Sequence, residues 1–249
     1  MNGVTNAIDD RRLTPSAASM QKYARVAGVL FLLSMVAGGF GEGYAPTKLI
    51  VAADATATAR NIIASNFFFR AGFAAYLVEA MCDIGLSLVL YVLLRPVHRN
   101  LALLAAFFGL VSTAVFAGAE LFYFAPAFIL GGAGYLKTFS PDQLNSLALL
   151  SLKFYVYGGG VFMVFYGVAQ VIRGCLIFRS GYIPKALGVL LAIGGLGFII
   201  RNFALVLTPA YASDAFVLPM FLAGVAMTVW FLVKGIDVSQ WEARAATFE

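Results

Sequence analysis

The chain has 249 residues, 61% of them hydrophobic and only 12% charged, with a formal net charge of +5 and a mean hydropathy of +0.89. A soluble domain carries roughly twice that charged fraction, and several apolar runs exceed the ~18 residues at which a membrane helix is expected. Composition therefore excludes an ordinary soluble fold and predicts an all-α integral membrane protein, since barrel strands would be short and alternating.

Six spans are predicted, at 24–44, 71–94, 101–125, 144–172, 186–207 and 215–234, forming a six-transmembrane-helix bundle over 24–234. Residues 1–23 read as a disordered cytoplasmic tail and 235–249 as a short one. Arg11 and Arg12 precede "VAGVLFLLSMVAGG", a pattern that invites an export-signal reading. The arginines stand too far from the apolar run, and no small-x-small cleavage site follows, so the segment is expected to be retained. After the first span, "APTKLIVAADATATARNIIASNFFFR" is the longest connection. There Asp54 is placed to cap a short helix, with Ile62, Ile63 and Phe67 on the membrane surface. "RPVHRN" makes a short basic turn between the second and third spans, where Pro96 stops the helix. "FSPDQ" supplies Ser140 as a cap and Pro141 as the first helical residue of the fourth span. "GYIPKALG" opens the fifth similarly.

Lysine and arginine divide unevenly between the two sides. Eleven fall at the termini and in the second–third and fourth–fifth turns, counting Arg173 in the latter; four, Lys48, Arg60, Arg70 and Lys137, fall opposite. The positive-inside rule then predicts both termini to be cytoplasmic. Basic residues lying between apolar spans are topology signals, and no nucleic acid is expected as a partner. Membrane lipids are, and a homo-oligomer is left open. Cys82 and Cys175 lie at different depths, so no disulfide is expected. A single histidine, His98, argues against zinc or haem sites, and no cofactor or metal is expected.

Five charges stand out within the second to fifth predicted spans: Glu79 and Asp83 in the second, Glu120 in the third, Lys153 in the fourth and Arg201 in the fifth. Counting ~1.5 Å per residue puts all five between the bilayer centre and its outer third. Helical spacing aligns Gly72, Tyr76, Glu79, Asp83, Ser87 and Tyr91 on one stripe, and the other charges also share small or polar faces. One interior cluster is predicted, with Tyr155, Tyr157 and Asn202 completing its wall. A lone charge in hydrocarbon costs several kcal/mol. Lys153 and Arg201 are expected to neutralise two acids, leaving the third to be protonated, hydrated or balanced by a cation. Three readings stay open. The first is a site for a small polar or anionic ligand or a proton; the second is a scaffold in which the charges only form salt bridges. The third is an intramembrane enzyme using the acids on a lipid-linked substrate, which the lack of any nucleophilic constellation disfavours. "KFYVYGGGVF" is read as close helix packing in preference to a broken helix, and "IGGLG" as packing.

"ATARNIIASNFFFRAGFAAYLVEAMCDIGLSLVLYVLLRPVHRNLALLAAFF" and the later "RSGYIPKALGVLLAIGGLGFI" resemble the DUF4386 family of bacterial multi-span membrane proteins. The resemblance covers most of the chain from the first span to the last. It implies about six helices in a bacterial cytoplasmic (plasma) membrane and transfers no functional residue.

Overall fold

A computed structural model describes residues 17–247, all helix, turn and loop with no strand among them. Residues 1–16, most of the expected N-terminal tail, lie outside the described residues; positions 17–23 already belong to the first helix. α1 (Ala17–Gly38) passes through a π-helical turn, Gly39–Tyr44, into α2 (Ala45–Leu49). α3 (Ala55–Ala64) comes next, capped as predicted by Asp54, whose Oδ1 accepts from the Ala57 amide at 2.8 Å. Of its apolar residues, Ile63 is exposed but Ile62 turns inward and is buried, contrary to a wholly surface placement.

α4 (Asn66–Leu94), α5 (Arg99–Phe124), α7 (Pro141–Ser180), α8 (Lys185–Leu207) and α9 (Leu218–Val233) supply the other spans, with α6 (Pro126–Ile129) prolonging α5 beyond Pro126. Six helices are long and apolar enough to cross a membrane. The Ser140 side chain and Gln143 form a reciprocal capping box at the start of α7, satisfying two amides that a helix end leaves free. α7 runs 40 residues, to Ser180, eight beyond the predicted end of the fourth span. The three glycines Gly158, Gly159 and Gly160 do not break it. The seam between α7 and α8 is backbone on backbone. A Cβ on Gly167 would lie 2.6 Å from the Gly195 carbonyl, and one on Gly188 2.6 Å from the Gly174 carbonyl.

Each span packs on its neighbours in the chain, and α9 closes back on α1, giving a ring of six helices in sequence order. Short connections favour such neighbour packing. On α4, Leu77, Val78, Met81, Ile84 and Leu88 are exposed while Tyr76, Asp83, Ser87 and Leu90 are buried; the apolar outer face is what a lipid-facing helix requires.

The interior holds two apolar clusters. One, at the end where the termini meet, joins Met20, Leu90, Leu93, Ile177 and Phe231. The other, at the opposite end beside α3, joins Ile62, Phe69, Tyr76, Phe116 and Tyr123. Residues 235–249, expected as a tail, include α10 (Val238–Ala246). Its Trp241 is buried and donates from Nε1 to the Leu93 carbonyl at 3.0 Å, beside Tyr182, whose hydroxyl donates to the same oxygen at 2.7 Å. Asp237 caps α10, and the hydrogen bond from Ser239 holds its carboxyl below the usual aspartate range. These contacts tie the last helix to the end of α4.

Candidate functional site

The buried polar residues nearest the middle of the bundle lie between the two apolar clusters and come from α1, α4, α5 and α7. Asp83 is buried and accepts from Ser34 Oγ of α1 at 3.1 Å. Glu79, one turn away, is half-buried with its carboxylate against Gly38, where a Cβ would lie 2.8 Å from Oε1. From α5, Glu120 projects inward with 3% of its surface exposed. Neither Glu120 oxygen has a hydrogen-bond partner, nor does Glu79 Oε2 or the Tyr123 hydroxyl.

A fourth acid joins them that the sequence reading passed over. Glu42 sits in the π-helical turn, within electrostatic reach of Glu79 and Glu120. A π turn inserts one extra residue and shifts the register of the helix beyond it, a feature that recurs at functional sites. Three tyrosines border the layer. The Tyr76 and Tyr155 hydroxyls share a hydrogen bond at 2.7 Å, and the Tyr123 ring lies 5.2 Å from Tyr76 and 5.3 Å from Tyr155.

The expected cations are elsewhere. Lys153 is exposed on α7, and Tyr157 is 53% exposed on the same outer face. Helical spacing placed them with the interior face, but that face of α7 belongs to Leu152, Tyr155 and Phe162. Arg201 forms an ion pair with Asp214 at 2.8 Å, beyond the end of α8, and donates to Asn202 Oδ1 at 3.1 Å. Asn202 is buried, bonding the Phe198 carbonyl at 2.7 Å. It faces Gly160 across the α7–α8 seam. The structure thus brings Glu79, Asp83, Glu120 and Tyr155 to one interior region and leaves Lys153, Tyr157 and Arg201 outside it. Among the described residues no lysine or arginine lies within ion-pair distance of Glu42, Glu79 or Glu120.

The interior cation is Arg173, which the sequence reading assigned to a cytoplasmic turn. The longer α7 carries it into the bundle, where it is 4% exposed. It donates to Ser87 Oγ at 3.2 Å and to Gln170 Oε1 at 3.4 Å. A cavity between α1, α4, α5 and α7 is lined by both Arg173 and Asp83, with Ser87, Thr113, Tyr166 and Gln170. The two charges interact across it without direct contact. A signal for Arg173 was present: Tyr166, Gln170, Arg173 and Ile177 follow one helical stripe. Cys82 and Cys175 are both free thiols, as their separate depths implied. No group of three or more His, Cys, Asp or Glu among the described residues is placed to hold a metal ion.

Fold and interior together define a polytopic helical membrane protein with buried, unpaired carboxylates. The chain belongs to the DUF4386 family, described as a domain of unknown function, whose profile matches residues 26–235. It is also similar to an uncharacterized protein of Archaeoglobus fulgidus, 27% identical over 159 residues, which are 64% of this chain and 80% of that protein. No solved structure matches it.

Proposed function

We propose that this membrane protein binds and exchanges protons at the interior layer formed by Glu42, Glu79 and Glu120. One observation carries the reading: Glu120 is almost wholly buried, yet both its oxygens lack a partner. An unpaired carboxylate in such a place costs several kcal/mol. Its charge is balanced most simply by a proton, the smallest cation. The anionic-ligand reading leaned on Lys153 and Arg201 and loses its support with their displacement. A salt-bridge scaffold would need a cation beside each acid, and among the described residues Arg173 is the one interior candidate, facing Asp83. The basic residues at the termini end favour a cytoplasmic placement of that end in a plasma membrane, with the carboxylate layer nearer the outside.

Full-length chain reconstituted in weakly buffered liposomes tests this with a pH-sensitive dye. Glu79→Gln and Glu120→Gln should each reduce proton uptake after an acid pulse while the protein still inserts and purifies. Uptake unchanged in both variants, or variants that no longer fold, would support the scaffold instead.

A further inference from the structure

The cavity between Asp83 and Arg173 lies on the termini side of the carboxylate layer, and the proton-exchange reading leaves it without a role. Asp83 is one turn from Glu79 on α4, so it is the next acid after the layer. Beyond it the wall changes character. Ser87, Thr113, Tyr166 and Gln170 line the space up to the guanidinium, with Phe31, Leu86 and Leu90 on its apolar side, and past the guanidinium lies the apolar cluster that holds Leu93 and Ile177. The cavity, of about 10 Å³, has room for about one water among these donors and acceptors. A buried arginine whose partners are a hydroxyl and an amide keeps its full positive charge.

We propose that Asp83, one turn from Glu79 and in the wall of this cavity, is the onward proton acceptor, and that Arg173 is a positioning residue whose fixed charge stops protons from passing further. The proposal rests on proton exchange at Glu42, Glu79 and Glu120. No covalent step is involved: a proton leaves a Glu79 carboxyl oxygen for an Asp83 oxygen one turn away on α4, and returns the same way. A fixed guanidinium beside a narrow water path raises the barrier to a hydronium ion, as positive charges in pores do. The other groups around Asp83 do not do this. α1 presents the Ser34 hydroxyl and, in its π turn, Glu42; α5 presents the non-ionising Thr113; α7 presents Tyr166 with Arg173. Of these groups only Arg173 brings positive charge.

Gly109 on α5 gives a second handle. A Cβ there would lie 2.5 Å from Ser87 Oγ and 2.8 Å from Arg173 Nη2. Gly109→Ala therefore keeps the charge but must move the guanidinium from its seat.

The test is passive proton flux through full-length chain in liposomes under an imposed potential. Wild-type flux should be low. Arg173→Gln should raise it roughly tenfold, a barrier change of ~1.4 kcal/mol, and Gly109→Ala should raise it less. Adding Asp83→Asn to Arg173→Gln should return flux to the wild-type level, because the relay acid is gone. The proposal is overturned if Gly109→Ala and Arg173→Gln conduct no more than wild type, or if Asp83→Asn leaves the Arg173→Gln leak intact. Should Arg173→Gln fail to fold, Gly109→Ala alone and combined with Asp83→Asn decides in the same sense. Failure of the parent reading is separately visible, as proton uptake that survives Glu79→Gln and Glu120→Gln.

Discussion

Glu120 and Tyr123 stand one turn apart on α5, both turned inward, and both carry polar atoms that find no partner. Such groups are costly, by about 1–3 kcal/mol each when neutral and more when charged, so a fold that needed only stability would not carry two together. Tyr123→Phe removes a hydroxyl without emptying the space its ring fills. The expected result is a stability gain on the order of 1 kcal/mol, read as a raised denaturation midpoint in detergent. A loss of that size would mean that the hydroxyl has a partner in the folded protein. Arg201 differs in that its guanidinium, though its Nε is buried without a partner, pairs with Asp214, whose side chain is 85% exposed. Pairs of that kind contribute about 0–1 kcal/mol. Arg201→Gln should therefore leave both stability and proton uptake nearly unchanged, which a stability scan and the dye assay check together.

At the scale of elements, the features legible in the sequence were those set by local chemistry. Ser140 and Pro141 announce a helix start, and Asp54 caps α3 because its side chain can reach the third amide beyond it. The apolar spans appear where hydropathy put them. Depth and facing were harder to read. The fourth span continues for two turns past its apolar stretch, since tertiary contacts and not hydropathy end a helix inside a bundle, and this moved Arg173 from a turn into the interior. Glu42 lay in plain view inside the first predicted span, but a stripe drawn at 3.6 residues per turn does not track through a π turn. Lys153 shared helical spacing with small and polar residues, yet glycine and serine mark a packed face only when a neighbour is there to fill it. The α7–α8 seam makes that distinction testable. Gly188→Ala drives a methyl to 2.6 Å from the Gly174 carbonyl and should cost about 1–3 kcal/mol by overpacking. Gly159→Ala meets nothing within 4 Å and should instead add up to about 1 kcal/mol through helix propensity. Opposite shifts in denaturation midpoint are expected; equal ones would contradict backbone contact at this seam.

For the whole molecule, six spans in chain order make a closed ring around two apolar cores, and the buried ionisable groups are concentrated between them. The six spans were accessible from hydropathy. The concentration was not, because it depends on which face each helix presents once all six have packed. The consequence is an interior whose acids outnumber its cations among the described residues: Glu42, Glu79, Asp83 and Glu120 against Arg173. Proton exchange is the role that this imbalance suits, and its most direct measurement is infrared difference spectroscopy between two pH values on the full-length chain in lipid. A carboxyl band that changes with pH in the wild type, disappears in Glu120→Gln and persists in Arg201→Gln is the predicted result. A difference spectrum in which Glu120→Gln leaves every carboxyl band in place would contradict it.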